Sequence, residues 1–284
     1  MSAAHLQWRA EELWLQLRDL LPGLSVEVVE RCASTNTALL ERARVEVRPE
    51  PDNADVLVQR SVESAAFGRR AADVQPCLLV AEHQTGGRGR LGRGWHSAPG
   101  ASLTFSLGLP LAPADWSGLS LAVGVAVAGA LHPALQIKWP NDLWLHERKL
   151  AGILIETAQV GGQRLAVIGI GLNLQPIGEV DAGSGFACLQ EIDAQPDAPA
   201  VLHRAALPLA RALRRFEAEG FAAFVADYAR RDLLAGHTVR TTQQGVSEGI
   251  ARGVDASGAL QLQTDAGLVA IHSGEVSVRL DVQA

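Results

Sequence analysis

The sequence predicts an α+β protein in which a mixed or antiparallel sheet is flanked by helices and followed by a small all-β domain. Three observations lead there. Between Ser102 and Leu174 the chain breaks into short β runs, LTFSLGL, IKW, GILIET and AVIGIGLNL, with turns at His146-Glu147-Arg148 and Gly161-Gly162. Residues 202–231 then space their apolar side chains three and four apart, in two helical segments split at Gly220 that should pack on the sheet. After Gly236 come four or five short alternating strands, with turns at Gln244-Gly245, Ser257-Gly258 and Ala266-Gly267, the pattern of a small β-barrel.

In chain order, Leu6, Leu13, Leu17, Leu20 and Leu21 recur at helical spacing until Pro22-Gly23 stops them, which predicts one leading helix. Strands are expected at Val26–Val29 and Leu78–Ala81. The intervening stretch 46–75, rich in Arg, Asp, Glu and Pro, reads as an inserted loop or a mobile helix. The weakly polar run Gly118–Leu131 is short of the roughly 20 residues that span a bilayer and reads as a buried helix. A domain boundary is placed near Ala235, and the segment after it is too short for a large core of its own, so it should lean on the first domain.

Composition narrows the class of function. The 284 residues are 48% hydrophobic and 20% charged, the balance of a globular protein with a sizeable core. A net charge of −6 argues against non-specific nucleic-acid binding, which needs many cations against phosphates. Glu11, Glu12 and Asp19 interrupt the N-terminal apolar residues, unlike a secretory signal, and a cytoplasmic location is expected. Cys32, Cys77 and Cys188 form no CxxC pair and read as buried thiols, and the eight histidines show no metal-ligand spacing.

The sharpest segment is Gly86-Gly87-Arg88-Gly89-Arg90-Leu91-Gly92-Arg93-Gly94-Trp95. Glycines let backbone N–H groups turn toward an anion, and each arginine presents a planar fork for carboxylate or phosphate. Such a loop suits two mutually repelling anions, although a solvated basic turn or an RGG-like tail has the same composition. Next, Lys138-Trp139-Pro140-Asn141-Asp142 runs a short strand into a polar turn, where a lysine and a carboxylate can serve phosphate and Mg²⁺ or simply pair with each other. Lys149 then enters the apolar run Leu150-Ala151-Gly152-Ile153-Leu154-Ile155-Glu156, as a fixed positive charge beside a carboxylate or as an edge-strand lysine that blocks aggregation. Finally, Gly169-Ile170-Gly171-Leu172-Asn173 sets two glycines and an amide among apolar residues, so that a ligand can approach a strand closely.

Taken in this order, GRGRLGRGW, KWPNDL, KLAGILIE and GIGLNL resemble the catalytic domain of biotin protein ligases. Each string is modest; the ordered set is specific. The resemblance extends to Ser34-Thr35-Asn36, to Glu82–Gln84 and to Ser273-Gly274-Glu275, leaving out the leading helix and the 46–75 stretch. It implies a catalytic domain like that of class II aminoacyl-tRNA synthetases over residues 1–235 and an SH3-like barrel over 236–284. It also implies ATP and Mg²⁺ as cofactors, biotin as substrate and a biotin carboxyl carrier domain of a carboxylase as partner, with the enzyme a monomer or homodimer.

The same resemblance assigns roles. Ser34, Thr35, Asn36, Gln84, Gly87, Arg88, Gly89, Arg90, Lys149 and Gly152 fall at biotin-side positions. Arg90, Trp95, Lys138, Asn141, Asp142 and Asn173 fall on the ATP side, with Asp142 toward Mg²⁺. Lys149, Arg88 and Arg90 are the residues expected to act in the chemistry, by orienting anions and stabilising charge rather than by covalent attack. Some members add an N-terminal helix-turn-helix domain and act as repressors; too little chain precedes the first expected strand here, so neither DNA nor membrane binding is expected. Leu91 stands where some relatives have a basic residue. A lipoate ligase or acyltransferase of the same fold class and a biotin-sensing regulator are the rival readings; the arginine-rich loop disfavours the first, and the second needs an output module that the sequence does not show.

Overall fold

The computed structural model describes residues 6–44, 65–67, 74–177, 185–242, 246, 248–272 and 278–280. Most of the 46–75 stretch, the Gln244-Gly245 turn and Ser273-Gly274-Glu275 lie outside them. The leading helix, α1, spans Ala10–Leu17 and buries Leu13 and Leu17. Strand β1 (Ser25–Cys32) leads into helix α2 (Thr35–Arg44), and β2 (Ala65–Phe67) pairs antiparallel with β1. That edge strand falls where the sequence suggested a loop or mobile helix, because three residues are too few to show an alternating pattern.

Strand β3 (Cys77–Gln84) is followed by a tight hairpin, β4 (Gly87–Arg88) and β5 (Gly94–Trp95), then β6 (Ser102–Pro110) and helix α3 (Leu119–Leu131). Next come β7 (Gln136–Lys138), β8 (Asp142–Leu145), β9 (Arg148–Val160) and β10 (Gln163–Asn173). The main sheet has the order β2-β1-β3-β6-β10-β9-β8-β7, and β1 with β3 is its parallel pair. It is therefore mixed, as expected. Both expected hairpin turns form: Gly161 and Gly162 have positive φ, and His146 and Glu147 adopt the same left-handed conformation despite their side chains.

Alternation along the strands divides the molecule into layers. Leu78 and Val80 of β3, with Ala166, Ile168 and Ile170 of β10, point into the large core; Cys77, Leu79, Leu165 and Val167 point to the opposite face, against Leu39, Leu40 and Ala43 of α2. On the large-core side α3 is buried between the sheet and α4 (Ala198–Glu219), which explains its weakly polar sequence. Asp197 caps α4 by accepting a bond from the Ala200 N–H at 3.1 Å, and Gly220, at φ 67°, ends it where the sequence split the two helices. The short α5 (Val225–Ala229) follows a turn in which Phe221 stacks on Phe224.

The C-terminal strands β11 (Thr238–Thr241), β12 (Glu248–Val254), β13 (Leu260–Thr264), β14 (Gly267–Ile271) and β15 (Val278–Leu280) form one antiparallel sheet in the order β14-β13-β12-β11-β15. Among the described residues its two edges do not pair, so the closed barrel suggested by the sequence is seen here as an open five-stranded sheet. Val239, Ala251, Leu260, Leu262 and Ile271 join the same core as the first domain. Gly258 lies so close to Gly118 that a Cβ there would collide with the Gly118 backbone and press on the Phe221 ring. Cys77 and Cys188 are buried as expected, whereas Cys32 is only half-buried. No helix among the described residues is long and apolar enough to cross a membrane.

Trp139 joins the two sheets directly: its buried indole N–H donates to the Gly258 carbonyl at 3.0 Å. Trp139→Phe should leave that carbonyl without a partner and lower stability by about 1–3 kcal/mol. Urea unfolding checks this, and an unchanged midpoint would show that the bond does not help hold the sheets together.

Candidate functional site

The site follows from strand register. Directly paired residues share a face, and one row crosses the sheet as Ala81, Thr104, Gly171, Gly152, Asp142 and Lys138. Two residues along β10 the next row sets Ser106 opposite Gly169 and Gly169 opposite Leu154. This face is not covered by α3 and α4. At its centre Gly152, Gly169 and Gly171 bring no side chains of their own and floor a trough whose cover comes from other elements. A Cβ on Gly169 would overlap the Asn36 amide, and one on Gly171 would overlap the Trp95 indole. The two glycines of the GIGLN string are thus explained by close approach.

At one end of the trough stands the start of α2. Ser34 caps the helix through a long 3.4 Å bond from the Thr37 N–H. Thr35 donates from its N–H, at 2.7 Å, and its hydroxyl, at 3.1 Å, to Gln84 Oε1. The Ser106 hydroxyl lies 2.6 Å from both Thr35 Oγ1 and Asn36 Oδ1. Asn36, only 3% exposed, donates to the Leu154 carbonyl at 3.1 Å and to Glu156 Oε2 at 2.9 Å. Its polar atoms are engaged by protein, so it shapes the wall of the pocket rather than projecting into it.

At the other end are charges. Lys149 Nζ lies 2.8 Å from Asp142 Oδ1, and Lys138 stands opposite Asp142 in register with its ammonium 4.1 Å from the centre of the Trp144 ring. Asn141 donates to the Ile153 carbonyl at 2.8 Å, which fixes its amide and turns its oxygen toward Arg90 Nη1 at 3.1 Å. Burial pulls the Arg90 guanidinium below its ordinary pKa, Asp142 opposes that fall and Arg93 adds to it. The Arg90 guanidinium is thus a partly buried cation whose charge the nearby Asp142 carboxylate supports.

The glycine–arginine loop closes over the trough as the β4–β5 hairpin, with Gly87 opposite Trp95 and Arg88 opposite Gly94. Leu91 and Gly92 take positive φ at its tip, and the Gly89 N–H donates to the Arg93 carbonyl at 2.7 Å. A Cβ on Gly87 would come within 2.5 Å of the Trp95 carbonyl oxygen, so this position too requires glycine. The Trp95 indole covers Gly171 and Gly152, and its buried N–H meets no protein acceptor.

The sequence-derived residues therefore gather around one trough, but not with equal parts. Arg88 and Arg90 separate: Arg88 Nη2 pairs with Glu156 Oε1 at 2.8 Å near the α2 end, whereas Arg90 sits at the charged end. Asn173 lies one strand step beyond Gly171, and its amide donates to the Ala187 carbonyl at 3.1 Å, so it anchors a neighbouring segment. Sequence reasoning singled out neither Ser106 nor Glu156. The signal for Ser106 was present in β6, where Ser102, Thr104 and Ser106 alternate with Leu103, Phe105 and Leu107, yet all six are buried. Among the described residues no three His, Cys, Asp or Glu side chains gather as a metal cage.

Residues 69–173 match the Biotin/lipoate A/B protein ligase family, and residues 236–279 match the biotin protein ligase C terminal domain. The bifunctional ligase/repressor BirA of Escherichia coli is 37% identical over 211 residues, which cover 70% of this chain. The chain spans 65% of that relative's length. The biotin–[acetyl-CoA-carboxylase] ligase of Mycobacterium tuberculosis is 35% identical over 238 residues, covering 78% of this chain and 87% of that protein. The structure of the biotin protein ligase of Aquifex aeolicus in complex with biotin and ATP superposes with a TM-score of 0.69 at 26% identity, over 90% of this chain and 99% of that one. With the glycine-floored trough, its arginine loop and these relatives in view, the chain belongs to the biotin protein ligase family.

Proposed function

We propose that this chain is an ATP-dependent ligase that joins biotin to AMP and passes the biotinyl group to one lysine of a biotin carboxyl carrier domain, releasing pyrophosphate and then AMP. The observation that carries this reading is the polarity of the trough. One end gathers the neutral hydroxyl and amide groups of Thr35, Ser106 and Gln84 in one network, a polarity suited to a ureido ring, and the middle is glycine backbone beneath the Trp95 indole, suited to an alkyl tail. The other end gathers Arg90, Lys149, Asn141 and Asp142, suited to a carboxylate and a polyphosphate. The relatives' names and the ligands of the Aquifex aeolicus enzyme support the same assignment.

In the first step a biotin carboxylate oxygen attacks the α-phosphorus of ATP and the bond to pyrophosphate breaks. Arg90 and Lys149 hold the two anions against their mutual repulsion and meet the charge that builds on the phosphoryl oxygens. Trp95, Asn141 and Lys138 line the nucleotide side, and the orphaned indole N–H of Trp95 is a donor that a ligand can satisfy. In the second step the carrier amine attacks the acyl carbonyl, the bond to AMP breaks and the amine loses a proton. Orientation supplies most of that step, since the mixed anhydride is already activated.

Mg²⁺ fits as an ion held chiefly by phosphate oxygens and water, with Asp142 as the carboxylate within reach; it would neutralise phosphate charge. We read residues 1–235 as the catalytic unit, related to class II aminoacyl-tRNA synthetases, and 236–284 as an SH3-like barrel that steadies it through Trp139 and Gly258.

Lys149→Ala should lower biotin-dependent ATP–pyrophosphate exchange by about 10²–10³-fold with little change in the KM for ATP. Unchanged exchange would remove the lysine from the chemistry, and wild-type exchange supported by lipoate in preference to biotin would assign the pocket to a different acid. Gly169→Ala forces a methyl group into the Asn36 amide, so isothermal titration should show biotin affinity falling by roughly tenfold or more while ATP binding is retained. Unchanged biotin affinity would place the ring elsewhere.

A further inference from the structure

Glu156, in the second half of β9, lies on the same face as Gly152 and Leu154 and takes no part in the reaction just described. Its two carboxylate oxygens go to different partners: Oε1 accepts from Arg88 Nη2 at 2.8 Å and Oε2 accepts from Asn36 Nδ2 at 2.9 Å. Arg88 belongs to the β4–β5 hairpin and lies opposite Gly94, one residue before the Trp95 whose indole covers Gly152 and Gly171. Asn36 belongs to the buried network Asn36–Ser106–Thr35–Gln84 that shapes the ring end of the trough. One side chain therefore touches both the hairpin that roofs the trough and the network that walls it.

We propose that Glu156 is a positioning residue, a latch that fastens the glycine–arginine hairpin to the start of α2 and so keeps Trp95 over the trough. An ordinary surface ion pair contributes little because both partners give up solvent and rotamer freedom for a screened attraction. Here Arg88 is 54% exposed but Glu156 only 22%, and the Asn36 amide holds the carboxylate in place before Arg88 arrives. Only one mobile side chain has to be ordered, which makes the contact a charge-assisted bond to a prepared acceptor. In the ligase reading, on which this second part rests, the latch limits escape of the acyl-adenylate before the carrier amine attacks it.

The test begins on ligand-free full-length protein and needs no activity. Backbone hydrogen exchange across Gly86–Trp95 should quicken by about tenfold in Glu156→Gln and equally in Arg88→Gln, with no further gain in the double variant. A thermal unfolding midpoint near the wild-type value would show that the fold is intact. Unchanged exchange in Glu156→Gln, or independent additive effects of the two substitutions, would overturn the latch whether or not the chain proves to be a ligase. With biotin, Mg-ATP and a carrier domain, the amount of AMP released per biotin transferred should rise by about tenfold in Glu156→Gln, and the KM for biotin should rise more than kcat falls. A coupling ratio equal to that of wild type would sink the second part while leaving the ligase assignment standing.

Discussion

The architecture depends on backbone being left bare at Gly152, Gly169 and Gly171, in the middle of the two longest strands of the main sheet. Glycine weakens a strand by withholding a side chain and adding unfolded-state freedom. The loss is offset locally: Asn36 packs into the space over Gly169, Trp95 into that over Gly171, and each brings its own element with it. Helix α2 is docked by Asn36 and the hairpin by Trp95, so two of the walls of the site are located by missing methyl groups. The other face of the same strands buries Ile168, Ile170 and Leu172 under α3 and α4, so one side of the sheet is committed to the core and the other to the site.

Charge is distributed along this trough with the same economy. The row that ends in Asp142 and Lys138 puts cations and a carboxylate at one end, and the hydroxyl and amide groups of β6 and α2 occupy the other. Lys149 is tied to Asp142, and Arg90 is steadied by Asn141, so the cations are pre-oriented instead of waving in solvent. Such preorganisation costs little at the moment of reaction, and the mixed-anhydride chemistry proposed for this site, with no covalent enzyme intermediate, would depend on it. The C-terminal sheet takes part through the shared core and through the Trp139–Gly258 bond, which braces the turn that presents Asn141 and Asp142.

Much of this could be read in the sequence, because local chemistry announces itself. The alternation in LTFSLGL and AVIGIGLNL marked β6 and β10, Gly220 marked the break between helices, and the spacing of glycine and arginine marked the loop. What could not be read was register. That Gly152 faces Gly171, and Gly169 faces Ser106, is set by pairings between strands far apart in the chain. For the same reason Glu156 stood in a recognised string with no role, and Arg88 and Arg90 were both placed beside biotin although one faces Glu156 and the other Asn141. The three-residue β2 was invisible for want of length.

The most direct measurement is the intact mass of a biotin carboxyl carrier domain incubated with this chain, biotin and Mg-ATP, followed by mapping of the modified residue. The account predicts a single biotinyl addition on one lysine, absent without ATP and absent when lipoate replaces biotin. An unmodified carrier under these conditions, or modification by lipoate in preference to biotin, would contradict it.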